Sequence, residues 1–263
     1  MENPYLTPNS ASPQSALPPE AIARIEALLS SGRRTILGIA AGPGAGKSTL
    51  AQALHARFSE QTQYLPMDGF HLANRELARL QQGHCKGAPH TFDSAGYVHL
   101  LERVRRQPEG ETIYAPDFDR QLEEPIAGAI PLHADKPLII TEGNYLLLED
   151  GAWTRVRGLL DEAWYLDLDP ALRHARLLAR HMRFGRSESE ARAWIDSTDE
   201  PNAVRIAATR HRPSSNGTAF GASGEAGTAA ASLAAGGGES CCPHAATTPI
   251  CRHCAASAKT WTR

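Results

Sequence analysis

The chain has 263 residues, enough for one α/β domain with a sizeable core or at most a domain and a half. Its 27 Lys and Arg stand against 29 Asp and Glu, so it lacks the basic excess of a dedicated nucleic-acid binder. Of five cysteines only Cys85 precedes residue 241, which excludes a disulfide framework for the body, and no run of about 18 apolar residues exists to span a membrane.

Three regions differ in composition. Residues 1–18 lack the basic start and apolar stretch of a signal peptide and are rich in Pro, Ser and Asn, so a disordered lead-in to a soluble, cytoplasmic protein is expected. Residues 19–212 alternate strand-like and helix-like patterns. Residues 213–263 are dominated by Ala, Gly, Ser and Thr, with Phe220, Leu233, Ile250 and Trp261 their large apolar side chains besides cysteine. Such a tail buries too little surface to offset its ordering entropy, and its composition is what an out-of-frame reading of a GC-rich gene gives. Its Cys241, Cys242, Cys251, Cys254, His244 and His253 are a weak candidate metal group, closely spaced in low-complexity surroundings.

In the body, Ile22, Ile25 and Leu29 recur at helical spacing after Pro18-Pro19. Thr35 to Ala40 reads as a short buried strand, and Leu50, Leu54 and Phe58 mark one face of the helix that follows. Strands are expected at Tyr64 to Met67, at Pro137 to Thr141 and at Ala163 to Leu166. Asp93 caps a helix through Val104, Asp169-Pro170 opens one to about Arg183, and Ser187-x-x-Glu190 forms a capping box. Strands alternating with helices imply a parallel sheet flanked by helices on both faces.

Between the first strand and its helix lies Gly42-Pro-Gly-Ala-Gly-Lys-Ser-Thr49, the context a P-loop requires. Its glycines let backbone N–H groups point at phosphate oxygens, and the helix N-terminus adds partial positive charge. Gly42, Pro43, Gly44, Ala45, Gly46, Lys47, Ser48 and Thr49 are the expected nucleotide cradle; Lys47 would reach the β- and γ-phosphates and Ser48 would hold Mg2+. The strict pattern places Gly where this chain has Ala41, a mild change unless φ is positive there.

Phosphoryl transfer also needs a base and a second anionic metal contact. Met67-Asp-Gly-Phe-His71 ends the second strand, expected next to the P-loop strand, where Asp68 could take a proton from an attacking hydroxyl; a turn aspartate before Gly69 is the plainer reading. Leu138-Ile-Ile-Thr-Glu142 looks like a Walker B strand, with Glu142 as metal contact rather than a solvated strand end. Arg173, Arg176, Arg180 and Arg183 fall on one helix face, with Arg186 in the turn beyond. They read either as a lid over transferring phosphate or as a solvated basic face. In the lid reading Arg180 is catalytic with Asp68 and Lys47, and Arg176, Arg183 and Arg186 bind the nucleotide. Acceptor-side candidates are His71, Lys86, Tyr114 and Arg120, the last two in a segment read as a loop that also holds Asp117 and Asp119.

Together, Gly42 to Thr49, Met67 to His71, Glu142-Gly-Asn-Tyr-Leu-Leu-Leu148 and Arg173 to Arg186 resemble the phosphoribulokinase/uridine kinase family, which includes a bacterial pantothenate kinase. More narrowly they resemble its bacterial nucleoside/nucleotide kinase-like branch, labelled a fructose-transport-system kinase, over roughly residues 20 to 210. The resemblance implies a P-loop NTPase fold with a helical Arg-rich lid, ATP and Mg2+ on the P-loop, Asp68 as catalytic carboxylate and Glu142 as metal-linked acid. Asp117 to Arg120 matches the acceptor side more loosely, and Cys85 stands where a basic residue is expected. The family continues with a short final strand near the adenine, which this chain is expected to lack after Pro213. The implied function is ATP-dependent phosphorylation of a small-molecule hydroxyl, with a nucleoside, a sugar, a sugar phosphate and pantothenate all open as acceptor. Neither nucleic acid nor a membrane is an expected partner, and a homodimer is left open. The competing classes are a P-loop NTPase without a small acceptor, against which the absence of an Asn-Lys-x-Asp motif speaks, and a damaged kinase relative.

Overall fold

The structure, a computed structural model, describes residues 17–211 and 219–222, all within one unit, Met1–Leu233. Its elements in chain order are α1 (Pro19–Leu29), β1 (Thr35–Ala40), α2 (Lys47–Arg57), β2 (Thr62–Pro66), α3 (Asn74–Arg79), α4 (Ser94–Arg105), β3 (Thr112–Asp119) and β4 (Glu124–His133). Then come β5 (Leu138–Gly143), α5 (Val156–Leu159), β6 (Glu162–Leu168), α6 (Pro170–Arg183), α7 (Glu188–Trp194), α8 (Glu200–Ala207) and β7 (Ala219–Ala222).

The main sheet is parallel, in the order β2-β5-β1-β6-β7. Strand periodicity gives it two apolar faces. Leu37, Ile39, Leu138, Ile140 and Trp164 pack on α1 and α2 through Ala21, Ile25, Ala51 and Leu54. Their neighbours Ile36, Ile139, Ala163 and Tyr165 face the opposite way, into a larger cluster with Tyr97, Val98 and Trp153. β1 and β5 are buried along their whole length, which is why both read as continuous apolar runs. The order corrects one expectation. β2 is not beside β1; β5 lies between them. Asp68 therefore reaches the P-loop across the end of β5, which brings Glu142 between the two.

The caps are those the sequence encodes. Asp93 accepts from Gly96 N, Asp169 from Leu172 N, and Ser187 with Glu190 closes a capping box. The segment read as a loop around Tyr114 to Arg120 is instead β3, paired with β4 in an antiparallel hairpin. Pro116 disguises the strand. It lacks an N–H, and it sits where the register shifts between Ala115 and Asp117, a bulge that needs no donor there. A second correction falls in the tail. β7 pairs in parallel with β6, from Tyr165 opposite Ala219 to Leu168 opposite Ala222, so a final strand is present where none was expected. An edge strand pairs its backbone on one side only and can be supplied by a segment poor in large apolar residues. The rest of the tail, including its Cys and His group, and the lead-in over 1–16 lie outside the described residues. Among the described residues no helix is long and apolar enough to cross a membrane.

Helix α1 is tied to the sheet by a buried carboxylate. Glu162, 2% exposed, accepts from Arg24 Nε at 2.8 Å, Arg24 Nη2 at 2.6 Å and Trp164 Nε1 at 2.7 Å. Glu162→Ala strands the indole N–H and the guanidinium together, and is expected to lower unfolding free energy by about 1–3 kcal/mol. Glu162→Gln should lose less, because its amide oxygen still accepts from Trp164. Urea denaturation of both variants measures the difference, and equal losses would mean that the carboxylate's charge, not its acceptor geometry, holds the contact.

Candidate active site

The P-loop connects the carboxyl end of β1 to α2, at the edge where ligands bind open parallel sheets. Gly44 and Gly46 adopt φ of 80° and 95°, left-handed conformations that turn successive N–H groups inward. Ala41 is not among the described non-glycine residues with positive φ, which are Gln81 and Glu123, so alanine fits there without strain. It is fully buried and packs with Ala45 and Leu168.

Three groups converge beside this cradle. Lys47, 9% exposed, lies with its ammonium 3.8 Å from Glu142 Oε2. Ser48 Oγ donates to Glu142 Oε1 at 2.8 Å. The Tyr64 hydroxyl donates to the same oxygen, also at 2.8 Å; burial and then the Glu142 charge push this phenol far above its ordinary range, so it stays a donor. Sequence reasoning missed Tyr64. Nothing in a strand tyrosine two residues before a proline signals that it will orient a carboxylate one strand away. A hydroxyl and a carboxylate make a hard oxygen pair that suits Mg2+, which takes one or two protein ligands and completes its shell with water and phosphate oxygens.

Helix α6 lies directly over the loop. A Cβ on Gly44 would stand 2.7 Å from Leu177 Cγ, and one on Gly46 would stand 3.6 Å from Arg176 Nη1. The arginine stripe divides here. Arg173 is buried, its Nη2 2.5 Å from Glu200 Oε2 and its Cδ 3.8 Å from where a Cβ on Gly42 would stand, while its Nη1 is buried without a hydrogen-bond partner. An orphaned guanidinium N–H beside a phosphate cradle fits an anionic ligand. Arg176, Arg180 and Arg183 are exposed and, among the described residues, make no ion pair. Arg186 is held differently, with its guanidinium 3.8 Å from the centroid of the Trp194 ring.

Asp68 lies in the short helical turn Met67–Phe70 after β2. Its Oδ2 accepts from Arg120 Nη2 at 2.6 Å. Burial pushes the Asp68 carboxyl up, but the charges of His71, Lys47 and Arg120 and the Arg120 hydrogen bond outweigh it and hold the group below the usual aspartate range. His71 is half-buried against Phe92 and Phe118, with ring centroids 4.0 and 4.7 Å away, and its Nδ1 lies 2.7 Å from the Asp68 carbonyl. Burial lowers its pKa, as do the nearby Lys86 and Arg120, while Asp68 acts the other way. Lys86 donates to Asn74 Oδ1 at 2.8 Å and to the Glu123 carbonyl at 2.5 Å. His71, Lys86 and Arg120 thus gather beside Asp68. Tyr114 does not join them. Strand alternation sends Ile113 and Ala115 into the core and leaves Tyr114 63% exposed on the other side of β3.

The profile of the phosphoribulokinase/uridine kinase family matches residues 36–202. The YggC protein of Escherichia coli K12, itself uncharacterised, is 37% identical over 179 residues, which cover 66% of this chain and 73% of that protein. A provisionally named uridine kinase of Schizosaccharomyces pombe is 35% identical over 188 residues, covering 68% and 79% of the two chains. Among solved structures, a provisionally named fructose transport system kinase from Silicibacter sp. TM1040 superposes with a TM-score of 0.65 at 34% identity, covering 72% of this chain and 94% of that one.

The approach of hairpin and Asp68 turn is set by Gly69. A Cβ there would lie 2.2 Å from the Pro116 carbonyl oxygen, a backbone atom that cannot swing aside. Gly69→Ala is expected to push β3 and Arg120 away from Asp68 and, once a turnover assay exists, to lower kcat/KM by roughly 10²-fold, the loss a displacement of about 1 Å can cause. Wild-type kinetics in a folded Gly69→Ala protein would show that the hairpin's position does not matter to the site.

Proposed function

Because the chain belongs to the phosphoribulokinase/uridine kinase family, with the P-loop kinase fold, we propose that it transfers the γ-phosphate of ATP to a hydroxyl of a small metabolite. The observation that carries this reading is the position of Asp68, close enough to the P-loop Lys47 to feel its charge and paired on its other side with Arg120. A nucleotide switch without a small acceptor has no task for such a carboxylate.

In the proposed reaction the P-loop N–H groups and Lys47 hold the β- and γ-phosphates. Magnesium, bound against Ser48 and Glu142, would offset phosphate charge there. Asp68 takes the proton of the acceptor hydroxyl as its oxygen bonds to the γ-phosphorus; the bond from that phosphorus to the β–γ bridging oxygen breaks, and ADP leaves with the pair of electrons. Arg176, beside Gly46, and Arg180, one turn on, both without an ion pair among the described residues, are assigned to charge developing on the transferred group, and Arg183 to the same exposed stripe. Arg186, stacked on Trp194, would have to leave that ring to touch the nucleotide.

Lys47→Ala should nearly abolish turnover while the fold survives. Asp68→Asn should lower kcat by roughly 10²–10⁴ and leave ATP affinity close to normal. Undiminished kcat at saturating substrate would remove Asp68 from the chemistry. Glu142→Gln should raise the magnesium concentration needed for half-maximal rate.

The pH profile gives a separate check. Asp68 must be ionised to act, and its carboxyl is held low, so the acid limb of kcat/KM is expected below about pH 4, the ordinary aspartate value. Arg120→Met removes a positive charge that favours the carboxylate, so the limb should move to higher pH. An unmoved limb would mean that another group sets it.

A further inference from the structure

The acceptor-side cluster holds two cations, Lys86 and Arg120, whose paired carboxylates are an exposed group 3.8 Å away and the proposed base itself. Phe118, 8% exposed, has Lys86 Nζ 5.2 Å and Arg120 Cζ 5.6 Å from its ring centroid, with the His71 ring centroid at 4.7 Å. The Lys86 side chain is 16% exposed, yet its two short hydrogen bonds go to neutral oxygens, an amide and a carbonyl. The carboxylate paired with it, Glu123, stands 3.8 Å away with its own side chain 54% exposed. Burial accordingly lowers the Lys86 pKa, with Glu123 and Glu124 acting against it. A half-buried ammonium whose short contacts are neutral oxygens, with one exposed carboxylate 3.8 Å away, gains from a closer anion.

Arg120 poses the complementary problem. Its carboxylate partner is Asp68, the group that must be free to accept a proton. A carboxylate tied to a guanidinium is a poor base, because the ion pair favours its charged form. The pair must therefore loosen during turnover, and a neutral acceptor offers Arg120 nothing better than Asp68.

Building on the kinase reading, we propose that the acceptor carries its own anionic group, a carboxylate or a phosphate, received by Lys86 and Arg120. Arg120 then leaves Asp68 for the acceptor anion, and the base is released only when that anion is in place. A nucleoside or an uncharged sugar lacks the group that makes the exchange. Charge on the acceptor, rather than its carbon skeleton, is the first determinant of specificity. The anion site lies on the hairpin and on the segment after α3, so nucleotide and acceptor charges are held by different residues.

The test uses the full chain with saturating Mg-ATP and acceptors in matched sets: a sugar, its sugar acid and its sugar phosphate; pantothenate and its alcohol; and uridine. The anionic members are expected to exceed their neutral partners by about 100-fold or more in kcat/KM, and the sugar acid against the sugar phosphate tells which anion is preferred. Lys86→Met should erode that ratio, through a rise in KM for the anionic members. Equal or better use of neutral members, in a reaction that Asp68→Asn still abolishes, overturns the anionic-acceptor inference and leaves the kinase reading standing. Asp68-independent turnover overturns both. A second measurement needs no acceptor chemistry: calorimetric titration of the ADP-bound protein with inorganic phosphate or acetate. Binding lost in Lys86→Met supports the site, and absence of binding by either anion in the wild-type chain overturns it.

Discussion

The left-handed turn at Gly44 and Gly46 is the constraint around which the rest is arranged. It points backbone donors toward a common centre, and it brings the chain so close to α6 that no side chain fits at Gly44: a Cβ would meet Leu177 Cγ at 2.7 Å and the Arg173 carbonyl at 3.1 Å. The same two glycines therefore make the anion cradle and seat the helix that covers it. Lys47 and Ser48 follow at the first positions of α2, both in reach of Glu142 at the end of the adjacent β5. The parallel register of β1 and β5, Ala40 opposite Gly143, puts these groups at one level of the sheet edge.

The second half of the site is built on the first through β5. Because β5 lies between β1 and β2, Glu142 is flanked by the P-loop on one side and by Tyr64 and the Asp68 turn on the other. That turn is held by the bridge between His71 and Phe92, by Asp93 N donating to the Phe70 carbonyl at 2.8 Å, and by the hairpin packed against Gly69. The hairpin tip is itself anchored. Asn74 Nδ2 and Lys86 Nζ both donate to the carbonyl of Glu123, a residue with φ of 53°, and the Glu124 carboxylate accepts from Asn74 N at the start of α3. An exposed residue in the left-handed region persists because its neighbours over-determine it, and here those neighbours include the cation assigned to the acceptor.

Much of this was legible because local chemistry decided it. The strand, glycine turn, lysine, hydroxyl and helix of the P-loop follow one another without interruption, and the caps at Asp93, Asp169 and Ser187 need only their own neighbours. What the sequence did not reveal depends on partners distant along the chain. β3 looked like a loop because Pro116 and two aspartates hide an alternation that shows only when β4 pairs with it. Strand order is a property of the whole sheet, so the insertion of β5 beside β1 leaves no mark in either strand. The Tyr64 contact to Glu142 spans 78 positions. β7 was missed because composition measures how much apolar surface a segment can bury, whereas an edge strand is bound through its backbone.

The arginine stripe shows how far spacing can be trusted. Steps of three and four put Arg173, Arg176, Arg180 and Arg183 on one face of α6, but a face is not an environment. The helix is pinned where Leu177 and Arg173 lie against the loop, and Arg173 is paired there with Glu200 on α8, with one nitrogen left without a hydrogen-bond partner. Further along, His181 Nε2 meets the nearly buried Asp199 Oδ2 at 2.7 Å, tying the far end of α6 to the π-helical turn Ile195–Asp199 before α8. Between these two attachments Arg176 and Arg180 are exposed and, among the described residues, form no ion pair. A guanidinium that is unpaired in the protein gives up no ion pair when it meets phosphate, whereas Arg173 would have to share and Arg186 would have to unstack. In the proposed reaction the order in which these side chains would engage the phosphoryl group is set by what each one already touches, and that order puts Arg176 and Arg180 first.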